Sequence, residues 1–185
     1  MLKANFITAQ EAAEKIQDGS TLCTIGMTLV RASESILKAI EKRFETVGHP
    51  ANITLVHSCG QSDRKDGIQH LAHEGLVKRI IGSHWGLQPR WMEMIANSQV
   101  EAYCLPQGQI AQLYRSMACG LPGKMSKVGL GTFIDPRVEG GKMNDRTKPL
   151  PDIVDILEYS GEEYMFYKEI PLDTVLIRGT VCDEM

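Results

Sequence analysis

Short apolar runs closed by Gly or Pro alternate with segments of helical period from Thr8 to Leu130, and this alternation restricts the chain to a mainly parallel sheet covered by helices. The first unit opens on Thr8-Ala9-Gln10-Glu11, a capping-box pattern in which Thr8 accepts from the amide of Glu11 and Glu11 reaches back. Ala12, Ala13 and Ile16 follow at helical spacing, which predicts a helix over Ala9 to Gln17. Asp18-Gly19 ends it, and Ser20 to Ile25 reads as a buried strand running into a Gly26 to Val30 loop. Ile36, Leu37, Ile40 and Phe44 mark a second helix, stopped by Gly48-His49-Pro50, before a strand at Ile53 to His57. Strands at Val77 to Ile81, Val100 to Cys104 and Lys127 to Leu130 continue the series, with helices near Trp91 to Ala96 and Ile110 to Met117.

The period changes at Val154, where alternating residues lead through Ser160-Gly161 into Glu163 to Tyr167, the pattern of a β-hairpin. A last strand is predicted at Thr174 to Ile177. The Gly/Pro-rich stretch Asp135 to Asp152 reads as a long loop over the sheet, and loops of that length are usually functional or mobile. The expected fold is therefore α/β, a mainly parallel open sheet with helices on both faces and a β-hairpin near the C-terminus, with residues 1–185 as a single domain.

Composition narrows the function. Hydrophobic residues make up 43% and charged residues 23%, the balance of a chain that folds around a core. Lys and Arg number 20 against 23 Asp and Glu, so no positive excess draws the chain to nucleic acid or anionic lipid. No apolar run approaches the roughly 18 residues of a membrane span, and Met1 to Ile7 lacks a signal-peptide pattern, so a cytoplasmic protein is expected. The five cysteines, Cys23, Cys59, Cys104, Cys119 and Cys182, are widely spaced with no C-x-x-C pair, which suggests reduced thiols rather than a disulfide framework or a zinc site.

Ligands of open α/β sheets bind beyond the carboxyl ends of the strands. That rule nominates Gly26 to Thr28, His57 to Gln61, Ser83 to Gly86, Pro106 to Gly108 and Gly131 to Asp135. Gly129-Leu130-Gly131 lacks the third glycine of a dinucleotide loop, and Gly120-Leu121-Pro122-Gly123-Lys124 is too short for a P-loop, with Met125 where Ser or Thr is needed. His70 and His73, with Glu74 alongside, offer no obvious third metal ligand and read as surface or core-edge histidines. No G-x-S-x-G elbow is present, and Cys59 is the one thiol in a candidate loop. Pro106-Gln107-Gly108 is more informative, because it places a side-chain amide just before a helix that starts near Ile110, where it can stabilise a developing oxyanion.

Five segments carry a family resemblance: Leu71-Ala72-His73-Glu74-Gly75-Leu76-Val77, Gly82-Ser83-His84-Trp85-Gly86, Leu105-Pro106-Gln107-Gly108, Gly131-Thr132-Phe133-Ile134-Asp135-Pro136-Arg137 and Glu139-Gly140-Gly141-Lys142-Met143-Asn144. In this order they resemble a class I coenzyme A transferase, of the acetate or propionate CoA-transferase and short-chain acyl-CoA:3-ketoacid CoA-transferase type. Such enzymes have two related α/β halves, fused or as α and β subunits, and this chain resembles the first.

The resemblance implies CoA exchange between a short-chain acyl-CoA and a carboxylic acid through a glutamyl-CoA thioester, with CoA as substrate and neither cofactor nor metal. The nucleophilic glutamate lies in the second half of such enzymes, so Met1 to Met185 is expected to lack it and to be inactive alone. Carried over by position, Gln107 is an oxyanion-hole donor. His84, Trp85 and Phe133 would shape the acyl or carboxylate pocket, and Gly26, Gly108 and Gly131 would permit close backbone approach. The expected partners are a CoA thioester, a carboxylic acid and a second half or β subunit, in a homo- or hetero-oligomer.

Two departures from the pattern stand out. Gly26-Met27-Thr28 stands where many members carry a Gly-Gly-Phe loop, and the chain stops at Met185 where relatives run on past Arg178-Gly179-Thr180 and Asp183, which truncation, proteolysis or a split gene would each explain. Two rival functions are an acyl-CoA hydrolase half and a non-catalytic module that binds a partner.

Overall fold

The computed structural model describes residues 4–182, so the expectations about the chain's ends at Met1 and Met185, and about Asp183, lie outside the described residues. Five strands build the main sheet: β1 (Thr21–Thr24), β2 (Ile53–His57), β3 (Val77–Gly82), β4 (Glu101–Cys104) and β8 (Thr174–Leu176). Their order is β4-β3-β2-β1-β8, and every pairing is parallel.

Register explains why these strands read as nearly continuous apolar runs. Leu22, Leu55, Ile80 and Ala102 are aligned across the sheet and point into one core, while the next row, Cys23, Val56, Ile81 and Tyr103, points into the other. Both faces are thus buried, as parallel sheets require. One residue further on the row turns polar, as Thr24, His57, Gly82 and Cys104, and the loops of the carboxyl edge begin there.

The first core is covered by α1 (Ala9–Glu14), α2 (Glu34–Val47), α3 (Pro89–Ala96) and a 3₁₀ turn over Gly67–Leu71. The capping box at Thr8 is present, with the Glu11 amide on Thr8 Oγ1 at 3.2 Å and the Thr8 amide on Glu11 Oε2 at 2.7 Å. Helix α2 stops at Gly48, whose φ of +74° is a left-handed C-cap that suits glycine. The second core lies between the sheet, α4 (Gln107–Ala118) and a small antiparallel sheet of β5 (Gly123–Ser126), β7 (Glu162–Lys168) and β6 (Val154–Tyr159). Among the described residues, no helix is long and apolar enough to cross a membrane.

Three expectations need correction. The strand expected at Lys127 to Leu130 is a turn; the strand is Gly123–Ser126, and it pairs antiparallel with β7 instead of extending the parallel sheet. Helix α4 starts at Gln107, not near Ile110, because Pro106 with φ −62° and ψ 130° serves as its N-cap. The stretch Asp135 to Asp152 is not a loose loop but a series of turns fastened along β4. The Cys104 amide donates to Gly141 O (2.7 Å), the Met143 amide to Ala102 O (3.0 Å) and the Ala102 amide to Thr147 Oγ1 (2.7 Å).

Candidate functional site

All strands of the main sheet end on one edge, and the loops there are tied to one another in sequence. The Thr28 amide donates to Gly60 O (2.8 Å), the Ser83 hydroxyl to Ser58 O, and the Leu105 amide to Gly82 O (2.9 Å). The loops after β1, β2, β3 and β4 therefore form one connected rim rather than independent segments.

At the β4 end of this rim, Gln107 is the first residue of α4 and is exposed. The first amides of a helix have no intrahelical acceptor, and the bonds of this turn that reach Pro106 O come from Gln109 (2.9 Å) and Ile110 (3.1 Å). The N–H groups of Gln107 and Gly108 and the Gln107 side-chain amide are thus grouped at the positive end of α4. A Cβ at Gly108 would meet nothing within 4 Å, so the space above this turn is open. Such a cluster can take up negative charge developing on a carbonyl oxygen.

Phe133 is tied to the end of β4, and Gly131 to the loop beneath it. Phe133 is exposed, and its carbonyl accepts from the Gly141 amide (2.9 Å) beside Cys104. Gly131 has φ +69°, and its amide donates to the buried Asp135 carboxylate (2.9 Å). Hydrogen bonds from Arg137 hold the Asp135 carboxyl well below the usual carboxylate range, and Arg137 also reaches Glu163 of β7. This loop is therefore braced from beneath.

His84 and Trp85, after β3, point differently. The exposed His84 ring fits between two glycines; a Cβ at Gly60 would fall 2.8 Å from its Nδ1, and one at Gly86 would fall 2.9 Å from its Nε2. Trp85 is turned inward, 7% exposed, within the first core. Gly26 lies three strand positions from Gln107, on the order of 14 Å, so the structure does not bring these two together. Its own close approach is within the chain, since a Cβ there would sit 2.8 Å from Val30 O.

Sequence reasoning nominated the loop His57 to Gln61 but missed Gln88 and the polar layer that these residues form beneath the rim. His57 is fully buried; its Nδ1 faces the Cys59 carbonyl at 2.8 Å, which only accepts, so the proton sits on Nδ1 and Nε2 is bare and unpartnered. Burial pushes its pKa down to about 4. The buried Gln61 donates from Nε2 to Thr24 O (2.8 Å). The Gln88 amide, with its oxygen toward the Gln61 N–H (2.9 Å) and its nitrogen toward His84 O (3.2 Å), joins the second and third loops. A signal for this layer was present, because a polar residue closing an apolar strand such as β2 must find a partner when buried.

The two histidines read as surface or core-edge residues pack against α2. His70 contacts Glu41 through Nδ1 and Glu34 Oε1 through Nε2 (2.8 Å), and His73 Nε2 contacts Glu41 Oε1 (2.9 Å). Lys38 shares Glu34 with His70. Cys59 is half-buried in the rim.

Comparison with known proteins adds the context. Residues 6–185 match the family model described as Coenzyme A transferase. The chain is 43% identical to the caffeate CoA-transferase of Acetobacterium woodii over 98% of its length and 34% of that protein's. It is 24% identical over 100% of its length to the acetate CoA-transferase subunit alpha of Escherichia coli K12, covering 74% of that subunit. Among solved structures, the acyl-CoA transferase YdiF apoenzyme from Escherichia coli O157:H7 superposes with a TM-score of 0.93 at 36% identity, over 98% of this chain and 35% of that one. The chain spans about a third of the length of the first two of the curated relatives it matches, the caffeate enzyme and an acetate CoA-transferase.

Proposed function

Because the chain belongs to the coenzyme A transferase family, we propose that it is the first half of an enzyme exchanging CoA between a short-chain acyl-CoA and a carboxylic acid. The observation that carries this reading is the match of the family model to residues 6–185, to which the open donor cluster at Gln107 adds a site of suitable chemistry.

On this reading a glutamate outside the chain attacks the thioester carbonyl, the C–S bond breaks and CoA thiolate leaves, giving an acyl-glutamyl anhydride. The thiolate then attacks the glutamyl carbonyl, releasing the first acid and leaving a glutamyl-CoA thioester, and a second carboxylate runs the sequence in reverse. Each addition passes through a tetrahedral oxyanion. Gln107, with the adjacent N–H groups of α4, faces that charge, and His84 and Phe133 flank the acid on the rim. Trp85 supports them from the core, while Gly108 and Gly131 leave room for the substrate. The chain alone is inactive; with its second half, as a continuation or a separate subunit, it forms the cytoplasmic oligomer that turns over.

The test is a CoA-exchange assay on the assembled protein, with acetyl-CoA as donor and isotopically labelled acetate, propionate, a 3-keto acid and caffeate as acceptors. Transfer that requires an added acid supports the reading. CoA release without an acid would instead indicate a hydrolase, and no turnover by any assembly would leave a partner-binding module.

A further inference from the structure

The loop between β1 and α2 carries two residues other than glycine in the left-handed region, Thr28 at φ +52° and Arg31 at φ +65°. Neither side chain favours that backbone. The loop is nevertheless closed by paired bonds, the Met27 amide to Val30 O (3.0 Å) and the Val30 amide to Met27 O (2.9 Å). Its position is fixed by the bond from Thr28 to Gly60, so Arg31 stands exposed where a glycine would suit the backbone better.

Arg31 faces a cleft of about 760 Å³, within the range of small-molecule sites. Its polar lining is Thr28, Arg31, Arg178 and Thr180, and among the described residues no acidic one lines it. A neighbouring cleft of about 450 Å³ shares Arg178 and reaches the start of α2. There the N-cap Ser33 makes no side-chain capping bond, and its hydroxyl is buried without a partner. Glu34 also borders this second cleft, but its carboxylate is engaged by Lys38, His70 and the Gly67 amide. Arg31, Arg178 and Thr180 thus line one cleft beside the positive end of a 14-residue helix, the Thr28 hydroxyl being spent on Met27 O (2.6 Å), and no free carboxylate is among the described lining residues.

We infer that Arg31 and Arg178 form an oxyanion-binding site on the β1 and β8 side of the rim. Resting on the function proposed above, the anion is a phosphate of CoA. The site lies three to four strand positions from Gln107, so it holds a part of the substrate that is bound without reacting.

Calorimetric titration of the full protein, with any chain that co-purifies, tests this with four probes: inorganic phosphate, CoA, pantetheine and acetate. Arg31→Gly is the informative variant because glycine accepts the left-handed backbone, so its melting temperature should equal or exceed the parent's. Arg31→Gly and Arg178→Gln should each weaken an oxyanion probe about ten- to a hundredfold, with Arg31→Lys intermediate. Losses for phosphate and CoA with pantetheine unchanged assign the site to CoA phosphates, and a loss confined to acetate would overturn that assignment. All four titrations unchanged in both variants, or no oxyanion bound by the parent, would overturn the inference. The titrations need no turnover: phosphate bound through Arg31 in a protein that exchanges no CoA would sink the functional reading and leave the site standing.

Discussion

The imidazole of His57 fills the space that a side chain at Gly82 would need: a Cβ built there would lie 2.5 Å from both Cε1 and Nε2 of the ring. The carboxyl ends of β2 and β3 are matched as a large and a small residue, and the rim loops rest on that fit.

Gly82→Ala should therefore overpack the layer and lower stability by about 1–3 kcal/mol. Denaturant unfolding would measure this, and pairing it with His57→Ala should recover part of the loss. Additive losses in the double variant would show that the two residues are not coupled.

Acid should destabilise the fold through His57. Its folded pKa is about 4 against an ordinary value near 6.5, so the unfolded chain takes up a proton that the folded one refuses. The contribution is complete above pH 6.5 and is lost as the pH falls toward 4, on the order of 3 kcal/mol in all. Urea midpoints across this window should fall in the parent and stay flatter in His57→Gln; a loss appearing only below pH 4 would point to carboxylates instead.

Gln107→Ala should lower kcat of the assembled enzyme by about a hundred- to a thousandfold. The melting temperature should barely move, since Gln107 is exposed at the start of α4. A near-normal kcat would remove it from the oxyanion site.

Asn144→Ala should loosen the cover over β4. Asn144 Nδ2 donates to Ile95 O and Val100 O, both at 2.9 Å, and Oδ1 accepts from Thr147 Oγ1 at 2.7 Å. Losing these buried bonds should cost about 1–3 kcal/mol and speed hydrogen exchange at the Ala102 amide. Exchange as slow as in the parent would mean that the cover is held by other contacts.

The parallel sheet was legible in the sequence because its strands, buried on two faces, print apolar runs such as Ile53 to His57, which the structure reproduces. β5 was not, because Gly-Lys-Met-Ser has no apolar alternation and becomes a strand through its long-range pairing with β7. Gln107 was nominated by its place between a strand and a helix, and the structure sets it at the first position of that helix, whose start had been expected near Ile110. The layer beneath the rim was not legible, because Gln61 bonds to Thr24 and Gln88 to Gln61 across loops far apart in sequence, and no local pattern records such partners.

The turns fastened along β4 also give the main sheet a direction. With the β4 edge occupied by Gly141, Met143 and Thr147, the backbone groups that would recruit another strand are already engaged on that side. Among the described strands, β8 pairs only with β1, so any strand added to this sheet joins beside Thr174–Leu176, next to Ile177 and the Arg178 cleft.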